Sequence, residues 1–439
     1  MSIKHKNKTI SHTWDSIYCL LFSILIFLIP SNLFLKFGES SAYVNGMFVD
    51  YLLLKFYLSD VIIFIILGLS GWEIIHHKQV SGKIKSWVIN NKWLLVFSLL
   101  LLVRQLVTVN LISIWGAIKT LEMLFLAQVL IQKKQLLINK MVISSLQLTL
   151  IFQSLLSFYQ AYFQKHFLGF IFLGEPILTS PIGLAKTTIA GVERILPYGT
   201  TAHPNILAGV IGIYLFFLLQ LIKIEKIKPS LPTLVTLMLP LATLWLTRSI
   251  SAWLSLGIMV WLVFFGQRFK NFLNTHLNIL MLSLIFVIFF IPVLIHLGLP
   301  LQPNNLSLSR REILNQAGLM MIFDHPVLGV GLNNFVVNLE QYAITKEVVR
   351  FLQPVHNVGL LVVSQTGILG MIWLIVLWKK LPKQIKVSLC LGGLILLPIL
   401  SLDHYLLTIQ TGMLLLVFTI GIIRATNQLV QERGVKRSI

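Results

Sequence analysis

The dominant pattern along the chain is a series of apolar runs, each close to 20 residues long and separated by polar or basic stretches. A bilayer core about 30 Å thick requires roughly 20 apolar residues per helix, and lipid offers no partners for unpaired backbone groups. The runs therefore predict an all-α integral membrane protein with about twelve transmembrane helices, built as a single polytopic domain over residues 1–439. The predicted spans are 14–35, 51–75, 93–109, 112–131, 141–163, 203–222, 230–247, 249–267, 277–297, 356–378, 385–402 and 404–424.

Two long stretches interrupt this pattern, at 164–202 and at 298–355 between spans 9 and 10. Loops of this length are usually functional or disordered, and both contain apolar and glycine-rich segments that favour folded structure. In the second loop, Ser309 and Glu312 have the spacing of a helix-capping box, and apolar residues continue at helical spacing to about Phe323. We therefore expect a long, partly helical outer loop.

Composition supports the membrane assignment. Apolar residues make up 56% of the chain, charged residues 11%, and the mean hydropathy is +0.85, which together exclude a soluble globular protein. The net charge of +20 would suggest a nucleic-acid partner in a soluble protein, but here the basic residues lie mainly between apolar runs. If the amino terminus is on the inside, most of these basic residues lie on the inner side of the membrane. The positive-inside rule then predicts both termini in the cytoplasm, and membrane lipids rather than nucleic acid as partners.

Arg310 and Arg311 fall in the first turn of the predicted loop helix. The helix dipole and the free backbone N–H groups at such a terminus favour an anion, and two guanidinium groups would strengthen its binding. Alternatively, both arginines could extend to lipid headgroups. The residues alone leave these two readings open.

His356 opens the tenth predicted span, followed by Asn357. At 100° per residue, Gly359, Gly367 and Gly370 lie close to the His356 face of the helix, which predicts a stripe of small residues against a neighbouring helix. A histidine held at the membrane rim can act as a general base or a hydrogen-bond donor. The alternative is a helix cap or an interfacial residue.

Three further groups are weaker candidates. A turn formed by His325, Gly329 and Gly331 allows unusual backbone angles, but it lacks the lysine of a phosphate-binding P-loop. His203 and Asn205 have the position of a helix cap at span 6. Asp403-His404 lies at the junction of the last two spans.

Charged residues inside the predicted spans must be paired or face a cavity, because an unpaired charge at mid-membrane costs about 2.5–3.5 kcal/mol. Arg104 and Glu122 are on adjacent spans, and we expect them to form a structural pair. The carboxylates of the outer loops form no cluster with ligand spacing, so no metal site is predicted.

Several of these phrases together resemble the O-antigen ligase family of membrane glycosyltransferases, which includes related polysaccharide polymerases and protein O-oligosaccharyltransferases. The resemblance covers roughly residues 190–370, including the outer loop 298–355. The matching residues are His356-Asn357 followed by nine residues and then Gly367-x-x-Gly370, Arg311 ahead of His325-Pro326-x-x-Gly329-Val330-Gly331, and Tyr198-Gly199-Thr200 ahead of His203-Pro204-Asn205. This chain departs from the family at two arginines. The family commonly has one where Ile250 stands, and the nearest here is Arg248; it often has another directly before the Tyr-Gly-Thr phrase, where Leu196-Pro197 stand here with Arg194 just upstream.

The resemblance implies that a glycan moves from a polyprenyl diphosphate carrier to a hydroxyl of a lipid- or glycan-linked acceptor, at the outer face of the cytoplasmic membrane. No metal and no cofactor are implied. His356 and Arg311 would be catalytic, and the diphosphate would be bound by Arg311, Arg310, Arg248 and Arg194. Positioning roles would fall to Asn357, Gly367, Gly370, His325, Gly329, Gly331, His203 and Asn205.

Two alternatives remain open. A polysaccharide polymerase would use the same donor and the same residues. A transporter of lipid-linked glycans is less favoured, because its charges should follow the bundle axis, whereas here they concentrate in one outer loop.

Overall fold

The computed structural model describes residues 2–44, 46–76, 96, 99, 102–103, 111–179, 183–224, 227–228, 230–298, 306–342 and 352–437, and is mostly helical. In chain order the described helices are α1 (Ser2–Leu28), α2 (Leu58–His76), α3 (Leu111–Gln132), α4 (Lys140–Phe163), α5 (Pro204–Lys223), α6 (Leu231–Thr247), α7 (Ile250–Gly298), α8 (Leu306–Asp324), α9 (Phe335–Tyr342), α10 (Val358–Lys380), α11 (Lys383–Leu402), α12 (Tyr405–Thr408) and α13 (Gln410–Arg437).

Among the described helices, six are long and apolar enough to cross a membrane, namely α3, α4, α5, α10, α11 and the part of α13 up to Leu429. Four shorter apolar helices, Trp14–Leu28, Leu231–Thr247, Ile250–Phe265 and Thr275–Phe290, accompany them. This confirms a multi-pass membrane protein. The number twelve stays a prediction, as does the single domain, and the predicted span 93–109 lies almost entirely outside the described residues.

Two predicted boundaries were wrong, those at the start of span 2 and of the last span. Span 2 does not begin at residue 51, because strand β4 (Leu54–Tyr57) pairs antiparallel with β1 (Phe34–Phe37) and the helix starts only at Leu58. Spans 8 and 9 correspond to the two apolar helices Ile250–Phe265 and Thr275–Phe290 within α7, which meet at a kink where His276 has non-helical backbone angles. The last span does not begin at 404, since the short helix α12 precedes α13.

Two further hairpins extend from the bundle. Strands β2 (Tyr43–Val44) and β3 (Met47–Phe48) lie between β1 and β4, and β5 (Lys186–Ile189) pairs with β6 (Val192–Ile195) in the stretch before α5. Helix α5 is the most buried of the six candidate spans, because 78% of the residues in its most apolar stretch are buried. It therefore forms the centre of the bundle core.

A second core lies at the end of the bundle where α5 and α10 begin, and we call it the cap core. It joins the segment 42–53 to helices α8, α9 and the first turn of α10 through buried apolar side chains. Its members are Ala42, Val49, Leu52, Leu53, Ile112, Leu314, Ala317, Met321, Val330, Phe335, Val336, Leu339, Val355, Leu360 and Leu361. The predicted outer loop is thus partly helical, although residues 299–305 and 343–351 lie outside the description.

A buried ion cluster ties three helices together inside the bundle. Lys119 of α3 forms ion pairs with Asp60 of α2 and, at 3.0 Å, with Glu122. Gln410, at the start of α13, donates to Asp60 as well. The expected partner of Glu122, Arg104, lies outside the described residues, and in the described part of the chain Lys119 pairs with Glu122 instead.

Replacing Lys119 by methionine is expected to destabilise the protein by about 3–5 kcal/mol, because two buried carboxylates would lose their cation. The measurement is thermal unfolding of the detergent-solubilised chain. Lys133→Met is the matched control, since Lys133 also pairs with a carboxylate, that of Glu73, but is partly exposed. Equal losses in the two variants would contradict the assignment.

Candidate active site

The turn that leads into α5 is clamped by two glutamines of α4. The side-chain oxygen of Gln160 accepts from the N–H groups of Tyr198 (2.9 Å) and Gly199 (2.8 Å), and Gln153 exchanges two hydrogen bonds with Thr200. Gly199 has φ +56°, and a Cβ atom there would lie 2.3 Å from Oε1 of Gln153. The turn therefore requires glycine, and its backbone is fixed.

This turn delivers His203 to the start of α5. His203 is the N-cap residue, and its Nδ1 accepts from the N–H of Asn205 at 3.2 Å. Asn205 in turn donates from its side chain to Asp403 at 3.0 Å. His203 is exposed to solvent.

His356 is placed by its neighbour Asn357. Asn357 is fully buried and is the N-cap of α10, so the helix begins two residues later than predicted. Its side chain accepts from the N–H of Leu360 (2.9 Å) and donates to the carbonyl groups of Ile288 (2.8 Å) and Ser401 (3.3 Å). Three helices thereby meet at one side chain, and His356 sits directly beside that junction.

The segment after α11 brings in a second imidazole. His404 is buried, and its ring lies edge to face against His356, with the ring centroids 4.9 Å apart. Its Nδ1 lies 2.7 Å from the hydroxyl of Thr408, and that hydroxyl donates to the carbonyl of His404. Both bonds are satisfied together when Nδ1 carries the proton, which leaves Nε2 as an acceptor.

Arg311 supplies the positive charge of the site. Burial lowers the pKa of His356 well below its usual range, and His404, Arg311 and His203 lower it further. Burial and the charge of Arg311 lower the pKa of His203 to about 4. Burial, His203 and Arg311 lower the pKa of His404 to about 3. All three imidazoles are therefore neutral at pH 7.

Asp403 completes the arrangement. Burial raises its pKa to about 6, against the opposing effects of Arg311, the Asn205 hydrogen bond and the backbone N–H of His404. We call His203, Arg311, His356, Asp403 and His404 the histidine cluster. It combines one permanent cation, neutral imidazoles and a carboxylate at one end of a membrane bundle.

The two glycine phrases of the sequence meet at a break in α10. Gly367 has φ +59° and ψ −162°, which interrupts the helix. The carbonyls of Ser364 and Gln365 accept from the N–H groups of Val330 (2.9 Å) and Gly331 (3.0 Å), while those of Pro326 and Val327 accept from Ile368 (2.8 Å) and Leu369 (3.2 Å). The loop 326–331 is thus inserted into the helix.

This insertion corrects the predicted small-residue stripe. Only Gly359 packs against a neighbouring helix, where a Cβ atom would lie 2.9 Å from Ile288 of α7. Gly367 faces the inserted loop instead, and Gly370 faces Thr366 of its own helix. Gly329, with φ +62°, lies directly against the backbone of Gln365. No side chain fits between the loop and the helix at this position.

The remaining predicted residues lie in other surroundings. His325 is exposed at the end of α8, and Arg310 is half-buried next to Arg311. Arg194 is exposed on β6. Arg248 is exposed at the end of α6, with its guanidinium 5.2 Å from the centre of the Trp245 ring.

Sequence reasoning underrated two parts of the site and missed a third. Asp403 and His404 were only weak candidates, because an Asp-His pair between two spans has many structural roles. Tyr51, whose ring lies 5.3 Å from that of His404, fell within a predicted membrane span. Its one available signal was the preceding Val49-Asp50, which interrupts the apolar run.

Residues 235–375 match the family model described as O-antigen ligase. This match supports an assignment to the O-antigen ligase family. The match contains Arg311, the inserted loop, His356 and the helix break at Gly367, whereas His203 lies before it and Asp403-His404 after it. No curated protein matches the chain. Among the described residues, no group of three or more His, Cys, Asp or Glu side chains could hold a metal ion.

Gly367→Ala is expected to destabilise the protein by roughly 3 kcal/mol, because alanine is strained at this φ and its Cβ would lie 2.4 Å from the carbonyl oxygen of Val327. Gly318→Ala is the matched control. It adds a methyl group inside the cap core, where the closest atom is 3.5 Å away. Thermal unfolding of both variants should separate them, and equal stability would contradict the insertion.

The histidine cluster should make stability fall on acidification from pH 7 to pH 5. The unfolded chain takes up protons near the usual histidine pKa of about 6.5, whereas the folded cluster does so only near 4 and 3. Protonation of Asp403 below about pH 6 favours the folded state and opposes this loss of stability. The loss still prevails, because three histidines contribute to it and only one carboxyl group opposes it.

Thermal midpoints measured across this pH range test the prediction. His404→Asn should flatten the pH dependence, while His276→Gln, at the kink of α7 outside the cluster, should leave it unchanged. A slope that is the same in all three proteins would show that other groups control it.

Proposed function

We propose that the chain transfers a glycan from a polyprenyl diphosphate carrier to an acceptor hydroxyl at the outer face of the cytoplasmic membrane. The family assignment supports a ligase-like or polymerase-like membrane enzyme. The observation that carries the finer proposal is the position of Arg311, whose charge acts on three imidazoles and a carboxylate at the end of the bundle.

Arg311 would bind the diphosphate. A planar guanidinium group can donate two hydrogen bonds to a phosphate, and it stabilises the negative charge that develops as the diphosphate leaves. Arg310 adjoins it on the same helix. Arg248 and Arg194 remain further candidates for the carrier, each from an exposed position at the end of α6 or on the β5–β6 hairpin.

His356 would take the proton of the acceptor hydroxyl. In this step the acceptor oxygen forms a bond to the anomeric carbon, the bond between that carbon and the phosphate oxygen breaks, and the diphosphate leaves with the electron pair. A neutral imidazole can accept the proton. Bound diphosphate would counter the charge of Arg311, raise the pKa of His356 and so make it a better base once the donor is present.

The other positioning residues would act by holding the site in place. Asn357 fixes the start of α10, the glycine pair Gly329 and Gly367 holds the inserted loop, and Asn205 holds Asp403. The proposal includes no metal and no cofactor. Both termini would lie in the cytoplasm, and the acceptor would be a lipid- or glycan-linked hydroxyl.

A polymerase that lengthens carrier-bound chains would use the same donor chemistry. The size and attachment of the product distinguish the two: a ligase moves a preformed chain to a new acceptor, whereas a polymerase adds repeat units on the carrier.

Arg311→Ala and His356→Ala should each lower glycan transfer by about 100-fold or more, because one removes charge stabilisation and the other the general base. The assay uses membranes that contain the polyprenyl-linked donor and follows glycan on the acceptor. Arg311→Lys should retain part of the activity, since lysine keeps the charge but not the two-point geometry.

Gln316→Ala, at an exposed position on the same helix α8, is the control and should transfer normally. Thermal unfolding should confirm that each variant is folded. Wild-type transfer by a folded Ala variant at 311 or 356 would overturn the role of that residue.

A further inference from the structure

Tyr51 reaches the histidine cluster from a distant part of the sequence. It occupies the short 3-10 turn Asp50–Leu52, between β3 and β4, and its ring packs at 74° against the ring of His404. The residue is nevertheless 37% exposed. One part of the side chain therefore contacts the cluster while another part is open to solvent.

The turn that carries Tyr51 is held on both sides. Leu52 and Val49 are buried in the cap core, and the N–H of Val49 donates to the carbonyl of Ala42 at 2.7 Å. Lys55 pairs with Asp50 at 2.5 Å. The ring is thus set in place before any ligand binds, which lowers the entropic cost of using it as a contact surface.

The charges that act on Tyr51 are opposite in sign to the charge of Arg311, which acts on the imidazoles. Arg311 acts on the imidazoles, whereas the charges that act on the Tyr51 hydroxyl are the carboxylates of Asp403 and Asp50. Burial and these carboxylates raise the pKa of Tyr51, so the hydroxyl stays protonated. An anionic diphosphate would favour Arg311, while a hydroxyl-rich group would suit Tyr51, because neighbouring carboxylates can accept hydrogen bonds from it.

We propose that Tyr51 is the binding surface for the sugar ring of the acceptor, while the diphosphate is bound by Arg311. This inference rests on the proposed function. The apolar face of an aromatic ring packs against the C–H groups of a sugar, and the neighbouring carboxylate of Asp403 would accept its hydroxyl protons. Such a contact would hold the acceptor hydroxyl beside His356, since His404 lies between the two rings and touches both.

The test separates acceptor binding from donor binding. Membranes containing the full chain and its polyprenyl-linked donor are given a dilution series of glycolipid extract from membranes that lack the enzyme, and the extract needed for half-maximal transfer is measured. A second series varies the donor. Tyr51→Ala should raise the acceptor requirement about threefold to tenfold and leave the donor requirement unchanged.

Tyr51→Phe keeps the ring and should resemble the wild type, whereas Tyr51→Leu keeps apolar bulk and should resemble Tyr51→Ala. The leucine variant also serves if the alanine variant does not fold. Tyr43→Ala is the matched control, because Tyr43 lies in the same segment and is exposed, but packs on Phe48 instead of the cluster.

An unchanged acceptor requirement in Tyr51→Leu, an equal rise in the donor requirement, or the same effect from Tyr43→Ala would overturn the inference while leaving the proposed function intact. Absence of transfer by the wild-type chain would instead overturn the proposed function, and the acceptor site with it.

Discussion

Backbone pairing inside an apolar bundle is the constraint on which this site depends. A helix that breaks at Gly367 leaves carbonyl and N–H groups without partners, and lipid cannot satisfy them. The loop 326–331 supplies those partners, two in each direction. The break therefore fastens the cap to the bundle, so that α8, which carries Arg311, and α10, which follows His356, are held in one geometry.

Burial then sets the chemistry. The histidine cluster lies between the bundle core and the cap core, where charged imidazoles are disfavoured and Arg311 disfavours them further. Without a ligand, the site holds the positively charged Arg311 together with the neutral imidazoles of the cluster. An anion bound at Arg311 would counter that charge and make proton uptake by His356 easier.

The buried ion cluster reaches the same site through a short path. Gln410 anchors the start of α13 to Asp60, and Thr408, two residues earlier, holds the ring of His404. Tyr57, whose N–H donates to Asp60, ends the segment that carries Tyr51. The buried ion cluster is thus linked both to His404, which packs against His356, and to the segment that carries Tyr51, which packs against His404.

The sequence by itself determined the membrane class, most helices and the family, since apolar periodicity and the spacing of Arg311, His325 and His356 are local properties of the chain. The sequence also singled out Gly329 and Gly331 as residues of a turn. It did not show why glycine is needed there, because the apolar pattern predicts an unbroken helix through Gly367. Only the tertiary structure showed that this helix breaks, that Asn357 joins three helices, and that Arg194 and Arg248 lie in exposed settings of their own. It alone brought Tyr51 to His404 and His404 to His356, because those contacts join residues far apart in the chain and depend on how the helices pack.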